Sequence, residues 1–259
     1  MSKLFHFTSL KIGIEKILPD FSLKANNFYK TNDPRETFLW SFSGVNVKNK
    51  EFNDNHFESL FRVGYEARKY AKVLCFTKEE TGATNEMMWS HYGSNHEGFC
   101  FEIDEEEFKK ENPNIFNKTM VYLEDIDYSP DNFTNKPSFY VSQGKDWQNA
   151  LNSFIEHNYK YLFFKKSHFW VKEDERRLVV IEKYWDGLLN IRNSLKSIVI
   201  GIYCYEKHIA TIDELLKDTN IRVKQCEFQI DVPRINVIKR ERGDYREHIL
   251  KKYLKKFNY

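Results

Sequence analysis

The chain has 259 residues, enough for one large domain or two small ones. Hydrophobic residues make up 41 % and aromatic residues 16 %, which supplies a core and excludes bulk disorder. A net charge of +2 speaks against strong nonspecific nucleic-acid binding by the whole chain and leaves a local basic patch open.

Leu4-Phe5-His6-Phe7-Thr8 reads as a short strand. Thr8 or Ser9 can cap a following helix whose apolar stripe is Leu10, Ile14, Ile17 and Leu18, and Pro19 stops it. Phe21 to Lys24 reads as another short strand, and Asn26-Asn27 and Asn32-Asp33-Pro34 as turns. Residues 46 to 58 are polar and read as a surface excursion. A helix from about Phe57 to Tyr70 and a strand at Val73-Leu74-Cys75-Phe76 follow. Gly98 to Ile103 and Met120 to Tyr128 read as strands. Trp147, Leu151, Phe154, Ile155, Asn158 and Leu162 recur at helical spacing.

Late in the chain, Lys196 to Tyr203 reads as an apolar strand, residues 206 to 217 as a helix and Ile221 to Val232 as a last strand. If its strands are parallel, that unit packs with a right-handed crossover. Asp244 can cap a basic amphipathic helix over about 244–257, carrying Lys251, Lys252, Lys255 and Lys256. With no repeat and no linker in view, residues 1–259 read as a single α+β domain. The four cysteines show no zinc spacing, and Cys75 and Cys100 sit in apolar runs that suit reduced thiols. His91, His96 and Cys100 fit no standard metal spacing, so no metal ligands are assigned. The first residues lack a signal-peptide pattern and no stretch suits a membrane span, so a cytoplasmic protein with no membrane partner is expected.

The most informative run is Trp170-Val171-Lys172-Glu173-Asp174-Glu175-Arg176-Arg177, which leads into Leu178-Val179-Val180-Ile181. In a strand, Glu173, Glu175 and Arg177 would share one face, because side chains alternate with period two. Two carboxylates and a guanidinium there suit a polar ligand or a polarised carboxylate; a solvated charged turn is the plainer alternative. Three more polar clusters stand in apolar surroundings: His6-Phe7-Thr8, Asn32-Asp33-Pro34-Arg35-Glu36 and Trp89-Ser90-His91-Tyr92. Singly, His6 reads as a structural histidine, Asn32 to Pro34 as a turn, and Trp89 and Tyr92 as core.

Taken in order, the four clusters resemble the bacterial domain of unknown function 2971 family. That family's pattern is Tyr-His-Phe-Thr, Asn-Asp-Pro-x-Glu, Met-Trp-Ser-His-Tyr and Trp-x-x-Glu-x-Glu-x-Arg, with Phe5 here replacing the usual Tyr. More remotely, the early His-x-Thr resembles the opening of ADP-ribosyltransferases of the DNA-modifying toxin type. That resemblance implies a split β-sheet core flanked by helices and NAD as substrate. It implies Glu175, or alternatively Glu173, as the catalytic carboxylate. It implies cofactor contacts among His6, Thr8, Asn32, Asp33, Arg35, Trp89, Ser90, His91, Tyr92 and Arg177.

Such a carboxylate would stabilise the cationic ribose as nicotinamide leaves, Tyr92 would stack on nicotinamide, and Arg177 would bind pyrophosphate or clamp Glu175. A nucleic-acid or protein acceptor, and a toxin or phage-defence role, would suit the same resemblance. Two other functions are open: a non-catalytic nucleotide- or nucleic-acid-binding module on the same fold, and a metal-dependent nuclease using Asp125, Asp127, Glu173 and Glu175. Glu173 lies nearer the loop than Glu175, so it is expected to tolerate substitution better.

Overall fold

The computed structural model describes residues 2–37, 44–47, 56–130, 136–141, 146–204, 206–229 and 234–239. The basic helix expected at about 244–257 lies outside the described residues. In chain order the early elements are β1 (Lys3–Thr8), α1 (Leu10–Ile12), β2 (Ser22–Lys24), β3 (Asn26–Asn27), α2 (Pro34–Thr37) and β4 (Gly44–Val47). Then come α3 (His56–Lys69), β5 (Ala71–Thr77), α4 (Glu86–His91), β6 (Phe99–Asp104), α5 (Glu105–Glu111), α6 (Pro113–Phe116) and β7 (Val121–Asp125). The later elements are β8 (Ser138–Val141), α7 (Trp147–Phe163), β9 (Glu175–Ile181), β10 (Leu188–Asn190), β11 (Leu195–Ile200), α8 (Glu206–Leu215), β12 (Arg222–Gln229) and β13 (Arg234–Lys239).

The chain forms two compact units. The first comprises Met1–Leu23, Phe76–Pro113 and Leu189–Tyr259; the second comprises Lys24–Cys75 and Asn114–Leu188. Each combines strands and helices, so the α+β class holds.

In the first unit the strands run β13-β12-β11-β6-β1. β11 and β12 are parallel and joined through α8, as the sequence suggests, while β1, β6 and β11 pair antiparallel. β6 is buried along its whole length, which accounts for its Phe-Cys-Phe-Glu-Ile-Asp composition. One sheet face carries Phe5, Phe7, Cys100, Val199 and Cys226, and Met88 and Trp89 of α4 pack on it. Asn85 caps α4, its side chain accepting from the Met88 N–H at 3.2 Å. Behind α4 the chain turns left-handed at Ser94, Asn95 and His96. Gly98 closes that turn, where a Cβ would lie 2.2 Å from the Thr8 carbonyl oxygen.

In the second unit β5, β9 and β7 are neighbours in that order, and β3 pairs with β5. α7 follows the sequence pattern: Asp146 caps it, and Leu151, Phe154, Ile155, Leu162 and Phe163 are buried. They join Val63 and Ala67 of α3, Val73 of β5 and Val179 of β9 in one core. Phe28 packs edge-on against Phe163 with ring centroids 5.1 Å apart.

Some readings change. β4 occupies the start of the expected polar excursion and pairs in parallel with β8. β12, Arg222–Gln229, lies within the last expected strand, whose residues 230–232 are outside the described residues, and β13 pairs antiparallel with it. Short strands whose partners are remote in sequence carry too few residues to display a period.

Candidate functional site

The second unit contains a buried network of charges. Its anchor is Glu175, the first residue of β9, placed there by the apolar run that follows it and by pairing with β7. Two residues along the same face, Arg177 is wholly buried at 0 % exposure. Its guanidinium forks onto Glu175: Nε donates to Oε1 at 2.6 Å and Nη2 to Oε2 at 3.0 Å. Nη1 donates to Glu36 Oε1 at 2.5 Å and to the Phe163 carbonyl oxygen at 2.8 Å. The Phe28 ring lies 5.8 Å below the guanidinium.

Lys166, directly after α7, completes the network. It is buried, donates to Glu173 Oε2 through a short contact, and reaches Glu175 Oε2 at 3.3 Å and Asn32 Oδ1 at 3.5 Å. Its ammonium also sits 4.9 Å from the Trp170 ring centroid. The Tyr128 hydroxyl accepts from the Glu175 backbone N–H at 3.1 Å.

These contacts set the protonation states. Burial by itself would raise Glu175; Arg177 and Lys166 overcome that and pull it down to about 2. Burial would lower Lys166, and Glu175 with Glu173 outweighs it, raising Lys166 to about 12. Arg177, also opposed by burial, is held well above its ordinary value by Glu175 and Glu36. Burial raises the Cys75 thiol, and the neighbouring Glu175 charge adds to the rise, so this thiol is a poor thiolate nucleophile.

Glu173 is not on the strand. It ends a 3-10 turn, His168–Glu173, and Asp174 then adopts a left-handed conformation at φ 48° before β9 begins. The period-two argument therefore fails for Glu173, which reaches Glu175 through their shared Lys166 instead. Glu173 is as buried as Glu175.

Asn32 is exposed and Asp33 is buried, its carbonyl oxygen accepting from the Glu36 N–H at 3.0 Å. Arg35 lies in α2, and its side chain is outside the described residues. In the first unit, His6 on β1 is half-buried and meets Phe76 edge-on at 6.0 Å, while Thr8 is buried. Trp89 is fully buried, donates from Nε1 to the Ala83 carbonyl oxygen at 2.7 Å, and lies edge-on to Phe7. Ser90 and His91 are exposed and Tyr92 is half-buried at the end of α4. Thus the structure gathers Asn32, Glu173, Glu175 and Arg177 and gives Trp89 a core position. His6 and Glu175 belong to different units.

The sequence reading missed Lys166 altogether and did not give Glu36 a role. The signal for Lys166 was faint: a Lys-Lys pair between an aromatic helix end and an acidic run. A second buried carboxylate was also missed. Glu102, on β6 of the first unit, accepts from Ser197 and Lys224 through short contacts and from Lys3 at 2.9 Å. Burial would raise Glu102, and those hydrogen bonds bring it down to about 2.

Among the described residues no group of three or more His, Cys, Asp or Glu is placed to hold a metal ion. Asp125 instead pairs with Arg176 at 2.7 Å, and Asp127 accepts from Ser129 at 2.5 Å. Among the described residues no helix is long and apolar enough to cross a membrane. None of the four cysteines is in a disulfide.

Residues 88–178 match a family described as protein of unknown function (DUF2971). The match covers Met88 to Tyr92 and the run from Trp170 to Arg177 that carries most of the charged network. Neither the curated proteins nor the solved structures contain a match to this chain.

Proposed function

We propose that the chain is an ADP-ribosyltransferase-type enzyme that takes NAD as substrate, with Glu175 as its working carboxylate. The observation that supports this reading is a carboxylate kept ionised inside the protein and fixed by a two-pronged guanidinium at the mouth of a core strand. In the reaction the bond between ribosyl C1′ and the nicotinamide nitrogen breaks, and the nitrogen keeps the electron pair. An oxygen or nitrogen of a nucleic-acid or protein acceptor, or water, then bonds to C1′ and gives up its proton. A fixed negative charge stabilises the cationic ribose between those events. The contact of Glu175 Oε2 with Lys166 is long, at 3.3 Å, and is the one a ribose hydroxyl would replace. Glu173, on the other side of Lys166, is the alternative carboxylate. Asn32, Asp33 and Arg35, in the same unit as Glu175, keep their NAD-contacting roles in this proposal.

A second reading is a nucleotide- or nucleic-acid-binding module without turnover. It is favoured by the engagement of both Glu175 oxygens and by its 3 % exposure, which suit a strut inside the unit. Nicotinamide release from NAD, measured for the full chain alone and with DNA, RNA or lysate, separates the two. Release that disappears in folded Glu175→Gln supports the enzyme. Release that persists there, but is lost in Glu173→Gln, moves the role to Glu173. No release under any condition, with NAD or nucleic acid still bound, supports the module.

A further inference from the structure

Among the described residues of the second unit's network, Glu36, Glu173 and Glu175 face Lys166 and Arg177, three carboxyls on two cations in a buried place. Burying an unpaired carboxylate is costly enough that such a group takes up a proton instead. The three glutamates are not equivalent. Glu175 receives two guanidinium N–H groups and lies near the Lys166 ammonium, and Glu173 has Lys166 at short range. Glu36 has one bond, from Arg177 Nη1 to Oε1, and its Oε2 has no hydrogen-bond partner although the residue is only 3 % exposed.

We infer that Glu36 carries the surplus proton at neutral pH and, as a neutral carboxyl, positions Arg177 for its fork onto Glu175. The groups around Glu36 are consistent with this. β9 presents Arg177 and Glu175, the segment after α7 presents Lys166, and its own turn adds the buried Asp33. Arg68 of α3 donates to the Glu36 backbone carbonyl oxygen at 3.3 Å and to Gly64 at 3.0 Å. Burial raises the Glu36 carboxyl; Arg177 pulls against that and Glu175 reinforces it, and the net direction is upward. One neutral and one charged carboxyl on a single guanidinium fix its plane while burying only one full ion pair.

This inference goes beyond the proposed reaction and does not depend on NAD turnover. In the full chain, infrared spectra near pH 7 should contain a protonated-carboxyl C=O band that Glu36→Gln removes. Melting should show the same proton. A carboxyl raised by folding stabilises the folded state fully below its unfolded pKa and loses that contribution as pH rises toward the folded value. Wild type should therefore lose melting temperature relative to Glu36→Gln as pH climbs from about 4 to 7.5. The positioning role predicts slowly exchanging Arg177 guanidinium protons that persist in Glu36→Gln and disappear in Glu36→Ala. Absence of the carboxyl band in wild type would overturn the proton assignment. So would a wild-type melting advantage over Glu36→Gln that grows with pH, because Glu36 would then be a charged partner of Arg177. Unchanged Arg177 protons in Glu36→Ala would overturn the positioning role.

Discussion

Glu102 in the first unit and Glu175 in the second are both buried carboxylates held near a pKa of about 2, yet they reach that state by different routes. Glu102 is shared by two lysines and a serine hydroxyl on neighbouring strands, and its cations are partly wet, with side-chain exposures of 41 % for Lys3 and 27 % for Lys224. Cations outnumber the acid there, and water can screen the excess. Around Glu175 both cations are buried, three carboxyls share them, and no screening is available. The lesson is that a low carboxylate pKa says little about a site until the exposure and the count of its partners are known.

The largest way to break the comparison is Arg177→Met. It keeps a similar apolar volume and strands Glu175 and Glu36, so unfolding free energy should fall by about 3–5 kcal/mol in denaturant titrations. A loss below about 1 kcal/mol would mean that this network is no more closed than the one at Glu102.

Glu102→Gln should be milder, about 1–3 kcal/mol at neutral pH, since the amide oxygen can still accept from Ser197 and the lysines can turn to water. The sign of its pH dependence is the sharper test. Folding depresses Glu102, so its stabilisation is present above the unfolded carboxylate pKa and fades as pH falls toward 2. Melting curves of wild type and Glu102→Gln should converge on acidification below about pH 4.3. Glu36→Gln has the opposite sign: there wild type loses stability relative to the variant as pH rises. Equal gaps for Glu102→Gln at pH 3 and pH 7 would refute a charged Glu102.

Lys3→Met should have the smallest effect, less than about 1 kcal/mol, and added salt should shrink it further. A larger, salt-insensitive loss would show that the Glu102 network is as dry as the one at Glu175.

Much of the local framework was legible in the amino-acid sequence. Short apolar runs marked β1 and β6, a helical stripe marked α7, and an apolar strand–helix–strand run marked β11, α8 and β12. Composition and spacing over neighbouring residues suffice for such elements. The run from Glu173 to Arg177 also stood out, and period two correctly placed Glu175 and Arg177 together. Only tertiary structure decided the rest. The left-handed Asp174 removed Glu173 from the strand, and Lys166 restored its link to Glu175 from the end of another element. Glu36 became part of the network through a bond to Arg177 across 141 positions of chain. Local sequence records which groups carry charge; whether that charge is paired, screened or forced to take a proton depends on which distant groups folding buries beside it.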